Sequence, residues 1–146
     1  MDRKNPDMGM RNLITKRVEF SASHRYWKNE WSDEKNRQVY GKYSWDHGHN
    51  FLLEVTVEGE IDKDTGMIIN LFDLKHILNK VVEGFDHRNL NEENENFKNI
   101  LPTPENIASV LWTLLEREIK DQNIQCKLYN VRLYETPELY VDYRRG

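Results

Sequence analysis

A chain of 146 residues has room for one domain and is short for two independent cores, and its apolar share of 38% against 32% charged leaves one copy a thin core, which makes self-association an expectation. The 21 basic and 25 acidic residues give a net charge of −4 with no basic block to neutralise successive phosphates, which sets nucleic acid aside as a partner. No apolar run is long enough to span a bilayer, the start is polar without a hydrophobic signal core, and the single cysteine, Cys126, has no internal disulfide partner, so the expected compartment is the reducing cytoplasm.

Residues 1–12, with Pro6, Gly9 and alternating charges, read as a flexible tail ahead of a single domain over 13–146. Val18, Phe20, Ala22 and His24 then share one parity while Glu19, Ser21 and Ser23 take the other, which predicts a half-buried strand whose inward face ends in a histidine. From Arg25 to Trp45, aromatic residues mix with charges at no fixed period; this reads as a long loop carrying a short helix around Asp33 to Val39. The next strand is clearer, with His47, His49, Phe51, Leu53, Val55 and Val57 on one face.

After the turn Asp62 to Gly66, Met67 to Ile69 reads as a short extended piece. Asn70 can cap a helix with Asp73 at N3, and Leu71, Leu74, Ile77, Leu78 and Val81 form its apolar stripe before Gly84. Leu90 to Asn99, rich in Asn and Glu, reads as a loop. Thr103 followed by Pro104 starts a second helix with Ile107, Val110, Leu111, Leu114 and Leu115 inward, ending near Asp121 to Asn123. Two strands close the chain, one with Tyr129, Val131, Leu133 and Glu135 inward and one with Leu139, Val141 and Tyr143, turning at Pro137. The order ββααββ predicts an α+β fold: a four-stranded antiparallel sheet with two helices on one face, its free edges open to pairing with other copies.

His47-Gly48-His49 is the sharpest chemical feature, because residues two apart on a strand project from the same face and can share one ion. If the first two strands pair antiparallel, His24 joins them. Three imidazoles with a fourth position left for water or a substrate oxygen suit zinc. Glu135 shares the inward parity of Val131 and Leu133, and a buried carboxylate needs a partner. Two remain open for it: an internal Arg or Lys, the commoner outcome, or a ligand with adjacent N–H donors such as an amino-pyrimidinone ring. Asp86-His87 follows the first long helix and is either a proton-transfer pair or a solvated loop pair, since adjacency along a chain does not establish contact. His76 reads as surface, and Cys126 as a buried inert thiol.

An ordered set of segments then resembles one family. Phe20-Ser21-Ala22-Ser23-His24-Arg25, Ser32-Asp33-Glu34, Gly41-Lys42, His47-Gly48-His49-Asn50, Gly66-Met67, Asn70-Leu71, Asp73-Leu74-Lys75, Asp86 to Asn91, Thr103 to Asn106 and Tyr134-Glu135-Thr136 are similar, in collinear order, to the 6-pyruvoyl tetrahydropterin synthases, a family that includes bacterial 6-carboxytetrahydropterin synthase. The resemblance implies a tunnelling fold in which the sheets of a trimer close into a barrel and two trimers stack as a homohexamer, with active sites between subunits. It implies a zinc-dependent lyase acting on 7,8-dihydroneopterin triphosphate, in biopterin, folate or modified-nucleoside synthesis. By position, His24, His47 and His49 match the zinc ligands, Asp86 and His87 the proton-transfer pair, and Glu135 the ring anchor, while Thr103 and Glu105 fall in the stretch that helps hold the ring.

The chain departs from the pattern at Tyr43, which stands where the family has its general-base cysteine. A phenol titrates near 10 against about 8.5 for a thiol, and Tyr43 enters as the base at that position. Glu30, Asp33, Glu34 and Asp46 are the nearby carboxylates. The departure leaves two other outcomes open: aldolase-type cleavage to a 6-hydroxymethyl-dihydropterin, and a pterin-binding protein without chemistry.

Overall fold

The computed structural model describes residues 11–146. The tail expected over 1–12 lies outside them except for Arg11 and Asn12, and Asn12 already opens the first strand. Strand β1 (Asn12–His24) runs antiparallel to β2 (His47–Gly59) along its full length. The expected alternation holds: Phe20, Ala22 and His24 are buried on the same face of the sheet as Phe51, Leu53, Val55 and Val57. Strand β4 (Lys127–Thr136) adds to the far side of β2, and β5 (Leu139–Tyr143) to β4, both antiparallel.

The sheet departs from four antiparallel strands in one respect. A fifth, β3 (Arg88–Asn89), pairs parallel with Ala22 and Ser23 of β1, giving a mixed sheet in the order β3-β1-β2-β4-β5. It covers only the end of β1 near His24 and has two residues. So short a pairing has no period to reveal it in the sequence.

Four helices are present among the described residues: the two long ones expected on one face of the sheet, the short one expected around Asp33 to Val39, and one further short turn. Helix α1 (Asp33–Tyr40) lies between β1 and β2, capped by Ser32, whose hydroxyl accepts from the Lys35 N–H at 3.1 Å. Helices α2 (Leu71–Val82) and α4 (Pro104–Asp121) pack against the inward face of the sheet, capped by Asn70 and Thr103. The short turn α3 (Leu90–Glu93) and a 3-10 turn at Glu95–Phe97 replace the loop expected over 90–99. Asn89, just before it, and Asn94 within it act as caps, each accepting from the backbone N–H two residues on.

Three smaller expectations also change. Leu71 is exposed, because the buried stripe of α2 starts at Leu74 and extends to Val82. Met67 to Ile69 forms no strand; Asp62 and Met67 close a turn instead, with Asp62 accepting from the N–H groups of Asp64 and Thr65. A bulge at Tyr129 moves Thr56 opposite Asn130 and Val57 opposite Leu128, so Leu128 takes the buried position expected for Tyr129.

The core is one cluster between sheet and helices. Phe20 stacks on Phe51 with ring centres 5.1 Å apart, Phe85 tilts against Phe20, and Leu111, Trp112 and Leu115 of α4 close it from above. Burying each such side chain contributes about 1.5–3 kcal/mol. This rigid layer ends at His24, so the floor of the histidine cluster is Phe51, whose ring lies edge-on to both His24 and His49. No helix among the described residues is long and apolar enough to cross a membrane.

Candidate metal centre

Antiparallel pairing sets His24 directly opposite His47 and Ala22 opposite His49, so the two strands deliver three imidazoles to one place. Ring centres are 4.5 Å apart for His24 and His47, 5.0 Å for His47 and His49, and 5.3 Å for His24 and His49. Glu135 reaches the same point from β4, with Oε1 2.9 Å from His49 Nε2 and 3.4 Å from His24 Nε2. One ligand atom from each of the four residues lies within 4.8 Å of all the others.

Hydrogen bonding on the far side of two rings fixes what they present. His24 Nδ1 donates to the Pro102 carbonyl at 2.6 Å, and His47 Nδ1 donates to the Trp45 carbonyl at 2.8 Å. With the proton held on Nδ1, each Nε2 carries a free lone pair into the cluster. The Nε2 atoms of all three histidines and Oε1 of Glu135 are buried without a hydrogen-bond partner. The short approach of Glu135 to His49 is a close contact without the direction of a hydrogen bond. Buried polar atoms are nearly always paired, so four unpaired ones facing a common point fit a cation, and nitrogen-rich donors at this spacing fit zinc.

Charge follows from burial. Desolvation depresses the His49 imidazole below its ordinary range, against the pull of Glu135. Desolvation also works against ionisation of Glu135, yet the three histidines together outweigh it and hold the carboxyl below the usual range. Glu135 is 5% exposed, and its ionic partners are His24 and His49. The internal Arg or Lys held open from its parity is not what it meets.

Asp86 and His87 touch: His87 Nδ1 lies 3.0 Å from Asp86 Oδ1. The contact arises because His87 adopts a positive φ of 59°, turning the chain so that its N–H bonds to the Ser21 carbonyl while Asp86 accepts from the Ser21 N–H at 2.9 Å. The Ser21 N–H and then His87 keep the Asp86 carboxyl below its ordinary range. The pair is more exposed than the histidine cluster, and His87 shares with His49 an open cavity of about 470 Å³.

Tyr43 sits in the 3-10 turn Gly41–Ser44, partly exposed, its ring centre 5.6 Å from that of His47. Lys42 Nζ lies 5.6 Å from the centre of the Tyr43 ring. Thr103 uses its hydroxyl to cap α4 through the Asn106 N–H, and Glu105 in the first turn is exposed. This helix start abuts the cluster through Pro102, whose carbonyl holds His24. His76 is on the surface, and burial pushes the half-buried Cys126 thiol up.

Tyr26 was not expected. It packs edge-on to His24 and His47, tilts against Tyr43, and its backbone N–H bonds to the Tyr43 carbonyl at 2.7 Å. Burial, with the charges of Glu135 and Glu105, drives its phenol further from ionisation. Its position two residues beyond His24, where the strand parity continues, was the available signal.

Known proteins resemble the chain over nearly its whole length. Residues 13–146 match a family model described as 6-pyruvoyl tetrahydropterin synthase. The chain is 39% identical over 133 residues to a 6-pyruvoyl tetrahydrobiopterin synthase of Dictyostelium discoideum, an alignment covering 90% of this chain and 95% of that one. It is also 38% identical over 133 residues to a dihydroneopterin monophosphate aldolase of Pyrococcus furiosus, covering 91% and 97%. Among solved structures, the Caenorhabditis elegans 6-pyruvoyl tetrahydropterin synthase superposes with a TM-score of 0.85 at 32% identity, covering 93% of this chain and 96% of that one. Agreement over nearly the whole chain, in sequence and in backbone, makes this protein a member of the 6-pyruvoyl tetrahydropterin synthase family.

Proposed function

We propose that this enzyme of pterin metabolism is a zinc-dependent lyase that converts 7,8-dihydroneopterin triphosphate to a 6-pyruvoyl or 6-carboxy tetrahydropterin. The observation that carries the reading is the convergence of three unpaired Nε2 atoms with a buried carboxylate that has no Lys or Arg among its ionic partners. His24, His47 and His49 would hold zinc, which when bound supplies Lewis-acid polarisation of a substrate oxygen.

The remaining groups divide the work. Glu135, ionised and buried, accepts paired N–H donors from the amino-pyrimidinone ring, and the start of α4 at Thr103 and Glu105 borders that ring. Asp86 orients the His87 imidazole, which moves protons at the side chain. Tyr43, whose ring centre lies 5.6 Å from that of His47, is the base. Tyr43→Phe is expected to retain zinc and lower kcat at least about 100-fold, in line with the loss of a general base. Wild-type turnover in that variant would remove Tyr43 from the chemistry.

The exposed pair also argues for completion of the site by self-association. Among the described residues β3 covers only Ala22 and Ser23 of β1, leaving an open edge from Asn12 to Ser21, with β5 as the opposite edge. Barrel-forming trimers stacked as a homohexamer would satisfy both edges and supplement the thin core. We assign the protein to the cytoplasm and read 13–146 as one domain.

The second reading is aldolase-type cleavage, supported by the similarity to the Pyrococcus furiosus aldolase and by the absence of cysteine at position 43. Mass spectrometry of the pterin formed from dihydroneopterin triphosphate by zinc-loaded protein separates the two. A 6-pyruvoyl or 6-carboxy product is expected. A 6-hydroxymethyl product would establish the aldolase, and tight binding without consumption would leave a pterin-binding protein.

A further inference from the structure

His24 and His47 are held by different means. His24 leans on Pro102, a carbonyl fixed behind the buried start of α4. His47 leans on Trp45, two residues back in an exposed loop, with a side chain that is itself 60% exposed. A carbonyl in such a segment orients an imidazole only if something else holds the segment.

Arg37 meets that need. Its guanidinium carbon lies 3.2 Å from the centre of the Trp45 ring, and Nη1 donates to both the Ser44 carbonyl at 3.0 Å and the Ser44 hydroxyl at 2.9 Å. Ser44 is fully buried and donates in turn to the Gly41 carbonyl at 2.6 Å, while the Gly41 N–H bonds to the Arg37 carbonyl. One residue therefore grips both ends of the turn that carries Tyr43. The grip is anchored next door: Asn36, also fully buried, accepts from the Lys28 N–H and donates to the Lys28 carbonyl. A planar guanidinium can stack and donate at once, which an ammonium cannot.

We propose that Arg37 is a positioning residue for the metal centre: by clamping Ser44 and Trp45 it fixes the carbonyl that keeps the His47 proton on Nδ1 and the Nε2 lone pair in the cluster. The inference rests on the metal-site reading above. It concerns this chain's own loop and has a readout that needs no metal.

The test compares wild type, Arg37→Leu and Arg37→Lys. Nitrogen-15 NMR of metal-free protein well above the imidazole range reads the His47 tautomer; wild type is expected to show Nδ1–H alone, Arg37→Leu a mixture, and Arg37→Lys a lesser mixture. Zinc affinity, by competition with a chromophoric chelator, is expected to fall about 10–100-fold in Arg37→Leu, as for loss of a ligand's supporting partner. Absorption of the cobalt-substituted protein should shift with it. A folded Arg37→Leu protein with the wild-type tautomer and zinc affinity would overturn the proposal, whatever its melting temperature. Should Arg37→Leu fail to fold, Arg37→Lys decides by the same tautomer criterion. If wild type does not bind zinc, the metal-site reading fails, and the tautomer still decides the role of Arg37.

Discussion

His24→Asn is expected to abolish both zinc binding and turnover while leaving the fold intact. His24 has no exposed surface and its Nδ1 donates to Pro102, a bond that an Asn amide N–H can keep while supplying nothing in place of the lost Nε2. Altering a supporting partner of a metal ligand typically costs 10–100-fold in affinity. Removing the ligand itself should therefore exceed about 100-fold. The effect is measurable as stability: at about 100 times its dissociation constant, zinc adds about 2.7 kcal/mol to the wild-type protein, a rise of roughly 5–10 °C in Tm for a chain of this size. The variant should show no rise at that concentration. Since the ligands must be deprotonated, the wild-type gain should fade as pH falls, and the burial that depresses the His49 imidazole keeps that ligand available below the ordinary imidazole range. A His24→Asn protein that melts higher with zinc, or keeps metal through dialysis against a chelator, would remove His24 from the site.

The convergence on which this rests was legible because strand parity is a short-range rule. Three histidines on inward parities of two strands meet once the strands pair in register, and Glu135 joins them because β4 is the next strand over. The elements that escaped reading lack a period. The Asp86 and His87 contact depends on a positive φ at a residue other than glycine, which few side chains adopt and no local signal announces. The bulge at Tyr129 reverses a parity that the sequence continues unbroken. The loop from Arg25 to Trp45 is ordered by a stack in which Arg37 lies between the rings of Trp27 and Trp45 while Arg25 covers Trp27. These partners are 2, 8 and 10 positions apart with no repeating interval, so composition suggested an aromatic loop and could not say which charge lay on which ring.

Glu135→Gln is expected to leave zinc bound and to weaken pterin binding by roughly 100- to 1,000-fold. The substitution keeps shape and volume, so the packing of β4 is not at issue. What changes is the pattern of donors and acceptors. A carboxylate accepts two N–H bonds from an amino-pyrimidinone edge, whereas an amide offers one acceptor and turns its NH₂ toward the second donor. Charge-assisted hydrogen bonds contribute about 1.5–3 kcal/mol each, and a buried donor left unpaired costs about 1–3 kcal/mol. A combined loss of about 3–4 kcal/mol corresponds to the stated range. The same variant separates the two roles that the geometry allows for Oε1, which lies close enough to His24 and His49 to be a fourth metal ligand. If Glu135 anchors the ring, metal content and the zinc-dependent rise in Tm remain at wild-type values while the dissociation constant for dihydroneopterin, measured by its fluorescence, climbs. If it is a ligand to the metal, zinc affinity falls with it, and the anchoring role must pass to another acceptor near the start of α4.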